Sequence, residues 1–372
     1  MAIKILGIET SCDETALSLI EAGRDEGVGA EIQVLADHTL SQVALHRAYG
    51  GVFPNLAKRE HLKNLPVMLA PLLQEAKLSE ESPTLDAIAV TTGPGLEPCL
   101  WTGITFAEAL GKKWGVPIVA VNHMEGHIFS ALLRRKDEFS KPSAYRLAPI
   151  ALPALALLIS GGHTELVLMR DWFRYEVVGE TRDDAVGEAF DKAARLLGLP
   201  YPGGPEISRL AEEARNDAAR TITLPRPMLH SGNLDFSFSG LKTAVRYLIQ
   251  KLPLLTAEIK REIAREFEDA VTEVLIAKTA RALEQYGAQT LILGGGVIAN
   301  THIRRSFEHL ANTYGRKYLL REDNFLFFPE PSLTTDNALM IAVAGYLHSH
   351  TDHEPKTEKL IARGNLRLDE NI

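Results

Sequence analysis

Cysteine is almost missing from this chain: Cys12 and Cys99 are the only two in 372 residues. That excludes a disulfide framework and a structural zinc ribbon, and it fits a reducing compartment. Long hydrophobic runs are missing too. No stretch of about 18 uninterrupted apolar residues is present, so no membrane span is expected. The first residues, Met-Ala-Ile-Lys-Ile-Leu-Gly-Ile, lead directly into a strand pattern and lack a signal or transit segment, which gives a cytoplasmic expectation. An excess of positive charge is also absent. With a net charge of −8, the chain is not one that grips nucleic acid by bulk electrostatics, although a local basic surface remains open to it. Lys58, Arg59, Arg134, Arg135 and Lys136 are the cations considered for such a surface, each also readable as an ordinary solvated charge. What the chain has in quantity is core: 45% of its residues are hydrophobic, enough for two lobes.

The centre of the pattern is Val116 to Leu133, a buried strand running straight into a helix, with Asn122 placed to cap the first helical turn. His123 and His127 are four residues apart, so on a helix they share one face, as two ligands of one metal ion require. Both fall at the carboxyl end of a strand, where open α/β sheets bind ligands. The plainer reading is a pair of surface or capping histidines.

Two hairpins head two similar halves. Ile3 to Ile20 reads strand, polar turn (Glu9 to Thr15), strand; Leu155 to Met169 repeats the layout around Ser160-Gly161-Gly162. Hydroxyls and backbone donors in such turns can hold a phosphate, and Asp13 and Glu14 could steer a metal, a water or a ribose, though a plain polar hairpin would look the same. Each hairpin is followed by a helix, a strand, a Gly-rich turn (Gly93-Pro-Gly95; Gly294-Gly-Gly296), a helix, and a final strand leading into a helix. The order implies an internal duplication. His123 and His127 open the last helix of the first half, and Asp336 opens its counterpart in the second. Two lobes facing across a cleft would bring the three together. Thr334-Thr-Asp336 also reads as a helix cap that needs no metal.

The expected division is a lobe over 1–133, a charged connector over 134–150, a second lobe over 151–349 and a loosely held polar tail over 350–372. Within the second lobe a helix begins near Asp183, Tyr201-Pro-Gly-Gly-Pro205 reads as an irregular turn, and Asp235 to Lys242 as a hydroxyl-rich loop.

Taken together, Gly7-Ile-Glu-Thr-Ser-Cys-Asp-Glu-Thr15, His123-Met-Glu-Gly-His127, Ser160-Gly-Gly-His-Thr164, Gly187-Glu-Ala-Phe-Asp-Lys192, Tyr201-Pro-Gly-Gly204, Phe236-Ser-Phe-Ser-Gly-Leu-Lys-Thr243, Gly295-Gly-Val-Ile-Ala-Asn300 and Thr335-Asp-Asn337 closely resemble the tRNA N6-adenosine threonylcarbamoyltransferase family, most of all its bacterial type. The match runs in order from Ile3 to about Tyr346. The resemblance implies a duplicated two-lobe actin/hexokinase/Hsp70-like α/β fold. It also implies transfer of a threonylcarbamoyl group from threonylcarbamoyl-AMP to N6 of adenosine 37, in tRNAs reading codons that begin with A. One divalent metal ion is implied on His123, His127 and Asp336, Fe2+ ahead of Zn2+. Donor binding is implied at Leu158, Ile159, Ser160, Gly161, Gly162, Asp191, Gly204 and Asn300, with Asp191 able to accept from a ribose. Asp13 or Glu14 could take the N6 proton. The implied partners, besides tRNA and the adenylate, are a paralogous actin-like protein and a small P-loop ATPase, with no membrane.

The chain departs from the family at several points. A leucine stands where some relatives place a tyrosine metal ligand before the Ser-Gly-Gly turn, Pro54-Asn-Leu-Ala-Lys-Arg59 replaces a common Pro-Glu-Leu-Ala-Ser-Arg, and Ala338 replaces a common glycine. Two rival readings are a metallopeptidase and a sugar kinase or ATPase of the same fold. Against the first, Met124 follows His123 where the zinc-protease motif needs its catalytic glutamate, and Glu125 lies about 100° further round a helix. The second leaves the His pair idle.

Overall fold

The computed structural model describes residues 2–24, 29–136, 143–215, 221–318, 325–349 and 360–370. They divide into two compact units, residues 1–149 with 329–372, and residues 150–328.

Unit 1 is built on a seven-stranded sheet. Its strands are β1 (Ile3–Glu9), β2 (Glu14–Arg24), β3 (Ala30–Ser41), β4 (Ala87–Gly93), β5 (Ile118–Asn122), β6 (Leu133–Arg135) and β7 (Ala144–Leu147), in the order β5-β4-β1-β2-β3-β7-β6. β1, β2 and β3 form an antiparallel meander, and β4 and β5 add in parallel beside β1. Unit 2 has five strands, β8 (Ala154–Ile159), β9 (Thr164–Asp171), β10 (Arg174–Glu180), β11 (Thr290–Gly294) and β12 (Leu326–Phe327), in the order β10-β9-β8-β11-β12. Here too the first three strands form an antiparallel meander and the last two run parallel to β8. The shared order, meander on one side and two parallel strands on the other, is the internal duplication in topological form. β8 reads Ala-Leu-Ala-Leu-Leu-Ile without a polar break because it is covered on both faces, and all six residues are buried.

The helices of unit 1 are α1 (Val43–His46), α2 (Pro54–Glu75), α3 (Glu97–Trp114) and α4 (His123–Leu132); those of unit 2 are α5 (Val186–Leu196), α6 (Gly203–Ala214), α7 (Ser239–Lys251), α8 (Ala257–Tyr286) and α9 (Thr301–Tyr318). A last helix, α10 (Ala338–Ser349), follows β12 in the chain but belongs to unit 1. The reason is compositional. α10 is apolar on every side, with Ala338 through Tyr346 all buried, so it must be enclosed rather than half exposed. It is enclosed by β1, β2, β4, β5 and α4. Missing side chains make room: a Cβ on Gly7 would lie 2.3 Å from the Ala338 carbonyl oxygen, and one on Gly345 2.4 Å from Ala89 Cβ.

The expected division therefore changes in three places. The second lobe does not keep its final helix. Of the expected connector, 137–142 lie outside the described residues, while β6 and β7 flank them as an antiparallel pair on the sheet edge of unit 1. Of the expected loose tail, 350–359 and 371–372 lie outside the described residues, but 360–370 pack on unit 1. Ala362, Leu366 and Leu368 are buried, and backbone hydrogen bonds join Arg363 to Thr92 and Gly364 to Gly95. Apolar residues among the polar ones anchor that segment.

The two irregular stretches expected in unit 2 are irregular only in their first halves, 201–202 and 235–238, and run into helices from Gly203 and Ser239. Gly203 and Gly204 form the first turn of α6, because the Asp191 carboxylate caps them from α5. Ser239 opens α7 because Asp183, remote in sequence, accepts from the Phe238 and Ser239 amides and from the Ser237 and Ser239 hydroxyls. Local pattern shows no cap in either case; the cap arrives through the tertiary fold. Both cysteines are free, and among the described residues no helix is long and apolar enough to cross a membrane.

Candidate metal centre and donor-binding turns

In unit 1, β5 delivers the chain into α4 with Asn122 at the junction. The Asn122 side-chain oxygen accepts from the Met124 amide at 2.9 Å, capping the helix. His123 and His127 then project one turn apart, with ring centroids 4.7 Å apart and planes at 84°. α10 begins beside them. Its cap is Asn337, whose side-chain oxygen accepts from the Met340 amide at 2.9 Å. Asp336 is thereby free of the capping role that the Thr-Thr-Asp pattern allowed it. Its Oδ1 lies 3.3 Å from His123 Nε2 and 3.2 Å from His127 Nε2. Facing ligand atoms of the three residues lie within 4.8 Å of one another. His123 and His127 are buried, with 5% and 1% exposure.

These residues could hold a metal ion, and one atom argues that they are built to. His127 Nε2 is buried and makes no hydrogen bond despite its nearness to Asp336. A buried polar atom without a partner costs about 1–3 kcal/mol, a cost that a cation at this point would remove. Two imidazoles and one carboxylate form a donor set suited to Fe2+ or Zn2+. All three come from unit 1, so the expectation of an ion joining two lobes is corrected: α10 carries Asp336 back to the sheet that carries the histidines.

Sequence reasoning missed Glu9. It is fully buried at the end of β1, and its Oε2 lies 3.0 Å from His123 Nδ1. The Thr91 hydroxyl and Ser11 amide donate to its two carboxylate oxygens. A carboxylate on Nδ1 fixes a ligating histidine's ring and tautomer, leaving Nε2 toward the ion. The signal was present as an acidic residue closing an apolar strand, Ile-Lys-Ile-Leu-Gly-Ile-Glu. Burial alone would push the Glu9 carboxyl up, but the neighbouring His123 brings it below the usual range. Burial likewise raises Asp336, and His123 and His127 more than reverse this. The same ion pairs act on His123 against its own burial and hold it well above the usual histidine value.

Asp13 lies on the β1–β2 turn and Glu14 opens β2, close enough to Asp336 for the Glu14 and Asp336 carboxylates to repel. Burial, then Asp336 and Asp13, push Glu14 up to about 9. The turn is pinned by His61 of α2, fully buried, whose Nε2 lies 2.9 Å from the Cys12 carbonyl and whose Nδ1 lies 2.8 Å from the Thr15 hydroxyl. Glu125, the residue a peptidase reading would need, is buried in an ion pair with His348 at 2.5 Å.

In unit 2 the expected donor-binding residues fall on several elements: Leu158 to Gly162 at the end of β8 and in the turn after it, Asn300 just before α9, Asp191 on α5 and Gly204 on α6. Leu158 and Ile159 are fully buried strand residues. Ser160 starts the turn, its hydroxyl accepting from the His163 amide at 3.1 Å. α5 reaches this turn through the Gly187 amide, 3.2 Å from the Ser160 carbonyl, at a spot where a Cβ on Gly187 would be 2.6 Å from that oxygen. Gly295, with φ of +91°, passes equally close to the Ile159 carbonyl; its Cβ would lie at 2.4 Å. In contrast, Gly161, Gly162 and Gly204 have nothing within 4 Å of where a Cβ would stand. Asp191 accepts from the Gly203 amide at 2.6 Å. Asn300 caps α9 through the Ile303 amide at 3.0 Å and donates to Glu268 at 2.6 Å.

Two units with one sheet order place the chain in the actin/hexokinase-like fold class. The structure matches full-length HypF in a phosphate- and nucleotide-bound form, with a TM-score of 0.54 at 10% identity over 95% of this chain and 47% of that one. It matches HypF of T. kodakarensis with a TM-score of 0.54 at 12% identity over 94% and 48%. The chain belongs to the tRNA N6-adenosine threonylcarbamoyltransferase family, a family of transferases: the family model of that description matches residues 33–343. Relatives bearing that name include one from Aromatoleum aromaticum, 45% identical over 347 residues covering 93% of this chain and 92% of its own, and one from Chromobacterium violaceum, 44% identical over 348 residues covering 92% of each.

Proposed function

We propose that the chain transfers the threonylcarbamoyl group from threonylcarbamoyl-AMP to N6 of adenosine 37 in tRNAs reading codons that begin with A. The observation that carries this is family membership along nearly the whole chain, together with ligand atoms of His123, His127 and Asp336 that lie within 4.8 Å of one another. In the reaction the N6 nitrogen bonds to the carbamoyl carbon, the bond from that carbon to the phosphate oxygen breaks, AMP leaves with the electron pair, and N6 loses a proton. The mixed anhydride is already activated, so the protein's task is orientation and charge stabilisation.

Open space at Gly161, Gly162 and Gly204 supports backbone approach to the adenylate, with Leu158 and Ile159 as the rigid strand beneath the turn. Asp191 accepts from the ribose while holding the start of α6, and Asn300 fixes the neighbouring edge of the nucleotide site from the start of α9. A divalent cation on His123, His127 and Asp336, Fe2+ ahead of Zn2+, supplies Lewis acidity toward the carbamoyl or threonyl oxygens. Asp13 or Glu14, on adjoining positions at the start of β2, takes the N6 proton. The reaction is cytoplasmic in this reading, and a paralogous actin-like protein and a small P-loop ATPase complete the turnover cycle.

The test is a single-turnover reaction with chain in excess over unmodified tRNA and synthetic threonylcarbamoyl-AMP, read by mass spectrometry of the digested nucleosides. Threonylcarbamoyladenosine at position 37 supports the reading. Its absence from a metal-loaded chain that binds both substrates would contradict it. The peptidase reading is disfavoured by Glu125 and Met124, which are both buried away from the role it requires.

A further inference from the structure

In a chain with 48 acidic residues among 372, residues 236–257 contain neither Asp nor Glu. That stretch includes the whole of α7. Leu241 and Val245 bury one side of the helix, with Ala244, Leu248 and Ile249 packed beside them. Thr243, Arg246, Tyr247, Gln250 and Lys251 are exposed on the opposite side, and Lys242 lies at its edge. Tyr247 keeps 58% of its surface in solvent. Among the described residues Lys242, Arg246 and Lys251 have no ion-pair partner. Of the cations considered from sequence, Lys136 pairs with Glu31 at 2.8 Å, Arg59 pairs with Glu60 at 3.4 Å, Arg134 donates to the Ala131 and Leu133 carbonyls and Arg135 to the Ser143 hydroxyl at 3.0 Å; Lys58 has no ion-pair partner among the described residues and serves below as a control.

The helix is also held firmly and near the donor-binding turns of its own unit. Asp183 fastens its first turn, and α7 packs on α5, whose Gly187 touches the Ser160 turn and whose Asp191 holds Gly203. A rigid helix that carries no acidic residue of its own, with three uncompensated cations and an exposed aromatic ring, has the chemistry of a nucleic-acid backbone contact, in which cations meet phosphates and the ring stacks on an unpaired base.

We propose that the exposed face of α7 is a docking surface for the tRNA phosphodiester backbone. This rests on the reading that tRNA is the acceptor. The experiment titrates labelled unmodified tRNA with the full chain at 50, 100 and 200 mM KCl and compares it with the triple variant Lys242→Ala, Arg246→Ala, Lys251→Ala. Each lost phosphate contact removes roughly 0.7–0.9 from the log–log salt slope, so the triple variant should flatten that slope by about 2 and bind about tenfold more weakly at the lowest salt. Tyr247→Ala should weaken binding with the slope unchanged. Metal content and melting temperature should stay at wild type in both, because every changed side chain lies outside the core. Neutralising Lys58, Lys63 and Lys112 of unit 1 should leave affinity and slope unchanged. Wild-type affinity and slope in the α7 triple variant, or an equal loss in the unit 1 triple variant, would overturn the inference. A wild-type chain that binds tRNA and modifies it, with α7 variants indistinguishable from it, would sink this inference alone. Failure of the wild type to use tRNA at all would remove the reading beneath it.

Discussion

The two halves of this molecule share a sheet order but build opposite kinds of site. In unit 1 the candidate metal centre is made of side chains, each held by another: Glu9 on His123, Asn122 capping α4, Asn337 capping α10 and so releasing Asp336. In unit 2 the proposed donor-binding region is made of backbone, with glycines that touch protein (Gly187, Gly203, Gly295) alternating with glycines that face empty space (Gly161, Gly162, Gly204). One duplicated scaffold thus specialised twice, once by placing charged groups and once by removing side chains.

The sharpest break in that comparison comes from Asp336→Asn. Since Asn337 and not Asp336 caps α10, folding should be almost untouched, while loss of the anionic ligand should reduce metal affinity by more than the roughly 10–100-fold that loss of a supporting partner costs. Isothermal titration with Zn2+, alongside a metal-free melting curve, checks both halves of the statement. An unfolded variant would show that the residue is structural.

The pH dependence should follow from the same cluster. His123 is raised by its carboxylate neighbours, so its contribution to metal-free stability is full below the unfolded value near ~6.5 and is lost as pH rises through the folded one. Asp336 and Glu9 are lowered, and their contribution is present above about 4 and lost as pH falls through their folded values. Metal must displace the His123 proton, so its affinity rises with pH. The melting-temperature gap between metal-loaded and metal-free chain should therefore widen from pH 6 to pH 8, and a constant gap would contradict the ligand assignment.

Next in size is Glu9→Gln, which keeps the shape but turns the carboxylate on Nδ1 into an amide. Metal affinity should fall about 10–100-fold with activity recoverable at high metal concentration. If activity stayed low at metal saturation, Glu9 would act on something other than the ligand. The smallest effects on folding belong to unit 2: Gly161→Ala and Gly204→Ala should change stability by less than about 1 kcal/mol and weaken adenylate binding. Gly187→Ala and Gly203→Ala, whose Cβ atoms would lie 2.6 Å and 2.5 Å from protein atoms, should instead lower the melting temperature. Normal adenylate affinity in Gly161→Ala would mean that the turn only shapes the chain.

Much of this is legible in the sequence because it depends on local pattern. The strand–turn–strand openings, the β5–α4 junction with its Asn122 cap and the His123–His127 spacing are all properties of neighbouring residues. Three things were hidden because they depend on distant ones. α10 follows β12 in sequence, and only its all-round apolarity hinted that it would be enclosed by the first sheet. The starts of α6 and α7 read as irregular because their caps, Asp191 and Asp183, come from 12 and 55 residues away. Glu9 looked like part of a polar turn until its burial against His123 showed its partner. The overall polarity of the 350–372 tail points to loose attachment, yet within it Leu366 and Leu368 tie down 360–370.

The most direct test of the central claim, that His123, His127 and Asp336 hold an ion needed for threonylcarbamoyl transfer, is metal content by elemental analysis together with single-turnover transfer on the same samples of wild type and His127→Ala. Both proteins would first be reconstituted with Fe2+ under anaerobic conditions. The account predicts close to one ion per wild-type chain with rapid transfer, and a folded His127→Ala chain with neither. Full occupancy and wild-type transfer in His127→Ala would contradict it.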